Sequence, residues 1–285
     1  MKGEHLTALI YFIVIITVFS LITLVMRLGT DRGMSPLGLT TVVSMSSAVM
    51  VLAAVLVSRR PVNFTLFCSL LAAAGGVCGI TAFLFFTKAA QIGNYAFSVS
   101  VFQLSFLIPV VFSVIAWKEK IGPFRILGIC LIILSLLLIT SSSSGEKKPS
   151  SGKWLLFAVS SFFINGGNGI CQSTAARFGS DLLAYLLVTY LAGGILLFIF
   201  SAGRKMLGGR VFLFGTAGAA CSLIGNFLTL KLLTTYPPAG VFPVTLTGPV
   251  IVSTIVSAIV FREKIRKAGY AGIFLGAAGI ALLSI

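Results

Sequence analysis

The most chemically able stretch of this apolar chain is Asn165-Gly166-Gly167-Asn168-Gly169, followed at once by Gln172-Ser173-Thr174. Amides are costly in hydrocarbon, so a membrane-spanning helix that carries three of them faces protein or water, where its donors meet a ligand carboxylate, phosphate or amide. Close helix packing, with Gly for approach and Asn as interhelical glue, is an equally good use of the same residues. Asn168 leans toward ligand binding, and Asn226 is a weaker candidate of the same kind.

A second group lies in two proline-bearing segments. Ser98, Ser100, Gln103 and Ser105 precede Pro109, with Ser100 and Gln103 three apart on one helical face, and Thr245 and Thr247 stand between Pro243 and Pro249. Each proline removes a backbone donor and loosens its helix, as at transporter binding sites. Bonding to a backbone carbonyl is the commoner fate of an intramembrane Ser or Thr. Lys88 and Lys231 end two apolar segments at equivalent places. Each suits an anionic or carboxylate-bearing solute, and each also suits snorkelling to the lipid headgroups.

The missing chemistry is informative too. The acidic residues Glu4, Asp31, Glu119, Glu146, Asp181 and Glu263 all fall at segment ends or in loops, and the single histidine is His5. No nucleophile stands beside a base and no ligand cluster is visible, so the sequence offers no machinery for an enzyme, a cofactor or a metal. Export of a cation by proton exchange needs a buried carboxylate, which disfavours a multidrug-cation pump. Cys68, Cys78, Cys130, Cys171 and Cys221 sit in apolar runs without a C-x-x-C pair and read as small buried hydrophobes.

The elements that position these residues follow from composition. With 58% hydrophobic residues, 9% charged residues and a mean hydropathy of +1.10, the chain is an integral membrane protein. A span takes about 20 apolar residues. Ten are found: 6–26, 36–57, 64–86, 95–116, 123–140, 154–176, 182–201, 211–231, 238–260 and 268–284. The first lacks a small-residue cleavage site and reads as a retained helix. The formal charge of +15 sits in short connections that meet anionic headgroups, which removes nucleic acid as a partner.

The chain also repeats itself. Lys118-Glu119-Lys120-Ile121 before Gly128 returns as Arg262-Glu263-Lys264-Ile265 before Gly272, and Arg27-Leu28-Gly29-Thr30-Asp31 resembles Arg177-Phe178-Gly179-Ser180-Asp181. The expected architecture is all-α: ten transmembrane helices as two inverted five-helix repeats, 1–143 and 153–285, joined by a small, polar linker at 144–152. An odd number of spans per repeat turns the second upside down. With the N-terminus inside, eight Lys and Arg face the cytoplasm and thirteen the other side, so the halves disagree under the positive-inside rule. The first helix decides for both termini cytoplasmic.

On these features the chain resembles the drug/metabolite transporter superfamily, EamA-like branch, most clearly over Pro109 to Gly128 and Pro249 to Gly272. The resemblance implies a ten-helix carrier with cytoplasmic ends that moves small metabolites by alternating access through a central cavity. It implies no particular solute. Residue chemistry favours a neutral, zwitterionic or anionic cargo, amino-acid-like, with a cationic-compound exporter and a non-transport receptor or scaffold as the alternatives. A bacterial plasma membrane is the expected location, with the solute and the lipid bilayer as partners.

Overall fold

The computed structural model describes residues 2–58, 61–93, 95–142, 152–201, 206–260 and 266–283. The second loop motif, residues 262–265, and positions 144–151 of the expected linker lie outside them, while Gly152 already opens a helix. The chain forms α1 (Lys2–Asp31), α2 (Pro36–Ser58), α3 (Leu66–Ile92), α4 (Tyr95–Gln103), a 3-10 turn (Leu104–Phe106), α5 (Leu107–Trp117), α6 (Pro123–Ser142), α7 (Gly152–Arg177), α8 (Leu182–Ser201), α9 (Gly209–Leu233), α10 (Pro238–Val260) and α11 (Lys267–Leu283). Among the described residues nine spans, counting α4 to α5 as one, are long and apolar enough to cross a bilayer, and α11 is a shorter apolar tenth. This is a polytopic membrane protein whose spans are helical, the form that satisfies most backbone groups internally, as hydrocarbon demands.

Two details depart from expectation. The third span runs on to Ile92, so Lys88 stands inside α3 and not at its end. The loop signatures also align differently in space. Gly33 and Gly179 both take the left-handed conformation, at φ 78° and 69°, and both close their helices with backbone bonds: Gly33 N to Thr30 O and Gly179 N to Ala176 O. Gly33, not Gly29, is therefore the counterpart of Gly179. Gly29 instead packs inside α1, where a Cβ would lie 2.7 Å from Leu39.

The helices gather into two compact units, and each draws on both halves of the sequence: residues 1–80 with 171–235, and residues 81–170 with 236–285. In the first unit α1 packs on α9, and α2 packs on α8 and α9. Small residues let the backbones approach. A Cβ on Gly194 would lie 2.7 Å from the Met45 sulfur and one on Gly218 3.1 Å from Val43, while the Thr189 hydroxyl donates to the Ala72 carbonyl at 3.1 Å. Asp181 starts α8 by accepting from the backbone N–H groups of Leu183 at 2.9 Å and Ala184 at 3.1 Å.

In the second unit α6 lies along α11. From Gly128 to Ile139 on α6 the partner recedes from Leu283 to Gly272 on α11, so the two helices run antiparallel. Their contacts are self-complementary. Gly128 meets Leu283 and Gly279, Gly272 meets Ile139 and Ser135, and the pairs Gly279 with Ile132 and Gly276 with Ser135 complete the exchange. Each contact maps onto another when Gly128, Ile132, Ser135 and Ile139 trade places with Gly272, Gly276, Gly279 and Leu283. Equivalent helices of the two repeats thus pack head to tail, the relation an inverted repeat requires.

Candidate functional site

Within the second unit the fourth span is broken. Pro109 has no N–H for the carbonyl four residues back, which belongs to Ser105, and its ring crowds that carbonyl. The chain responds with the 3-10 turn at Leu104–Phe106, separating α4 from α5. Ser105 and Phe106 are buried in this turn.

The amide stretch of α7 seats against the break. Asn165 Nδ2 donates to Ser105 Oγ at 2.7 Å. A methyl group on Gly166 would overlap the Ile108 side chain, and one on Gly169 would lie 2.8 Å from Pro109 Cγ. The two glycines therefore admit α5 where Asn165 holds the turn. Asn168 is half-buried on the same face of α7, three residues on. Gln172 continues the face four residues further but belongs to the first unit.

Helix α10 packs against α5 and the turn. It stays helical through Pro243 and Pro249, so only the first repeat's proline segment breaks. Thr245 is buried and donates to the Phe242 carbonyl at 3.3 Å. Thr247 is fully buried, and its hydroxyl has no hydrogen-bond partner among the described residues. Gln103, the last residue of α4, is half-buried and does not cap the turn that follows. Gln103, Ser105, Asn165, Asn168, Thr245 and Thr247 thus lie on α4, the turn, α7 and α10.

The remaining candidates stand elsewhere. Ser100 bonds to the Thr140 hydroxyl and donates to the Leu136 carbonyl at 3.4 Å, joining α4 to α6. Asn226, in the first unit, donates to the Tyr190 hydroxyl at 3.1 Å and to the Ser222 carbonyl at 2.9 Å, a tie between α8 and α9. Lys88 is exposed, with Nζ 5.5 Å from the centroid of the Phe157 ring. On the same helix as Phe157, Trp154 donates to Ser98 Oγ of α4 at 3.0 Å. Lys231 is exposed in the last turn of α9. Ser105 is the position whose weight the sequence conceals; the signal for it is that it lies four residues before Pro109.

The chain matches the model of the EamA-like transporter family twice, over residues 6–141 and 152–285. It belongs to that family. Members of the EamA-like family are membrane transporters of small solutes, and the double match gives the two-repeat architecture independently of the helix packing. A protein of known crystal structure superposes on this EamA-like chain with a TM-score of 0.76 at 17% identity, over 97% of this chain and 96% of its own. That likeness shows the fold alone. A comparison with curated proteins gives no match.

Proposed function

We propose that this EamA-like protein carries a small zwitterionic, neutral or anionic metabolite, amino-acid-like, across the membrane by alternating access, and that the solute binds at the break of the fourth span. The observation that carries this reading is the 3-10 turn at Leu104–Phe106, held by Asn165 through Ser105. Interrupted helices at membrane depth persist where they are buried in protein or line a cavity, and there they present polar groups to a cargo. Glycines of α7 at the break leave the two helices closely seated without interlocked side chains, a contact suited to sliding.

The charge distribution supports a cargo that is not cationic. Asp31 lies 4.0 Å from Arg27 at a helix end, Asp181 caps α8, and Glu119 stands in the loop after α5. None of these three carboxylates lies on the Leu104–Phe106 turn. A cation exporter is the second reading, on resemblance alone.

The two repeats, 1–143 and 153–285, are the units of inversion in this reading, both termini are cytoplasmic and the membrane is a bacterial plasma membrane. A reporter fused after Lys153 is then found outside the cytoplasm, and a cytoplasmic signal there reverses the orientation. Counterflow tests the carrier itself: vesicles loaded with unlabelled amino acids draw in a labelled one faster than empty vesicles, and equal rates contradict the proposal.

A further inference from the structure

The pairing of α6 with α11 fixes which residues of the two repeats are counterparts. Gly128 answers Gly272 and Ser135 answers Gly279 in both sequence and contact. The same register holds across the preceding loops, where Lys118 answers Arg262. Carried back along the fourth and ninth spans, it makes Gln103 the counterpart of Thr247, each fifteen residues before the basic residue that opens its loop motif.

These counterparts share a second property. Threonines in the spans of this protein ordinarily satisfy their hydroxyls on the carbonyl four residues back, as Thr41, Thr140, Thr216, Thr229 and Thr254 do. Thr247 forgoes that bond, although it is fully buried. A buried hydroxyl left without a hydrogen bond is destabilising, and a solute that bonds to it would remove that cost. The amide of Gln103 likewise does not cap the turn beside it. Pro243 and Pro249 flank Thr247, so α10 lacks a backbone bond on either side of it and can shift locally to expose the hydroxyl.

We propose that Gln103 and Thr247 form a repeat-related pair that receives the polar head of the solute, a specificity-determining pair for the transport reaction. This rests on the function proposed above and narrows its cargo to solutes whose head both donates and accepts hydrogen bonds, as the ammonium and carboxylate of an α-amino acid do. The Gln103 amide, with two N–H donors and a carbonyl acceptor, and the Thr247 hydroxyl, with one donor and two lone pairs, both donate and accept without charge. A neutral pair of this kind matches a zwitterion without favouring either ion. In the present conformation Thr247 is closed off, so the solute reaches it as α10 moves from the turn.

The test compares full-length wild type with Thr247→Val, Thr247→Ser and Gln103→Met, purified and reconstituted, using an equimolar pool of the proteinogenic amino acids as the probe. Val copies the shape of Thr without the hydroxyl. The expected result for Thr247→Val and Gln103→Met is a rise of about tenfold in KM for the solutes wild type takes up, with Thr247→Ser close to wild type. The melting temperature without solute is expected to be unchanged or higher in Thr247→Val, since the variant removes a buried hydroxyl that has no hydrogen-bond partner among the described residues. A wild-type KM in Thr247→Val overturns the pairing, and so does a lower melting temperature, which means the hydroxyl is engaged within the protein. If wild type takes up nothing from the pool, the amino-acid reading falls separately. The melting temperature then decides the pair: a lowered value overturns it and an unchanged or raised one supports it.

Discussion

The Ser135 hydroxyl donates to the Gly272 carbonyl at 2.6 Å, and a Cβ on Gly272 would lie 2.9 Å from the Ser135 carbonyl oxygen. Ser135 and Gly272 belong to equivalent helices of opposite repeats, and their contact is the image of the one between Gly279 and Gly128. Lipid offers no hydrophobic drive for helix association, so such close backbone approach must hold the pair together. Gly272→Val is expected to destabilise the protein by about 1–3 kcal/mol through overpacking. Ser135→Ala is expected to cost about 0.6 kcal/mol, the common worth of an interhelical side-chain bond in a membrane. Thermal unfolding in detergent measures both, and a Gly272→Val protein as stable as wild type contradicts the packing described.

Asn165 acts on the break through Ser105. Removing either partner leaves the other without this bond, Ser105 buried and Asn165 half-buried, so Asn165→Leu and Ser105→Ala are each expected to slow transport while the double variant adds little. A double-mutant cycle on stability should return a coupling of about 0.6 kcal/mol, with about 1.7 as the upper end seen for such pairs. Full additivity would show that the 2.7 Å contact carries no energy.

Lys88 and Lys231 are both exposed, and the proposed function gives each the role of attracting an anionic solute. Lys88→Ala also loses a cation–π contact with Phe157 worth about 0.5–1 kcal/mol at an exposed site. Uptake of anionic solutes is expected to fall in Lys88→Ala and Lys231→Ala, to be retained in the Arg variants, and to depend on salt, because charges at an interface are screened. Unchanged uptake in both Ala variants removes them from the pathway.

Much of this architecture is legible in the sequence, because bilayer thickness fixes span length and the ten apolar segments agree with the helices to within a few residues. The broken span was also visible through Pro109, but not the place of the break. That is decided where the proline ring meets the Ser105 carbonyl and where α7 presents glycines to receive it. Hydropathy along one helix does not reveal its neighbour. For that reason the sequence marks Ser100 and Asn226 as ligand-binding groups without revealing the bonds they make to α6 and α8. The likeness of Arg27–Asp31 to Arg177–Asp181 was misleading in register by one helical turn, since backbone conformation and not residue identity makes Gly33 the counterpart of Gly179. The pooling of both repeats into each compact unit was hidden as well, because association of helices in lipid depends on surface fit between distant segments.

The central claim is that this EamA-like chain moves a small metabolite of the amino-acid class. The most direct measurement is uptake of a defined metabolite pool into proteoliposomes holding the purified protein, read by mass spectrometry against empty liposomes, with and without a pH gradient and a membrane potential. Selective, saturable accumulation of zwitterionic or anionic solutes is the predicted result, and its response to each gradient identifies the coupling. Accumulation of cationic compounds alone, or of no solute under any gradient, would contradict the account.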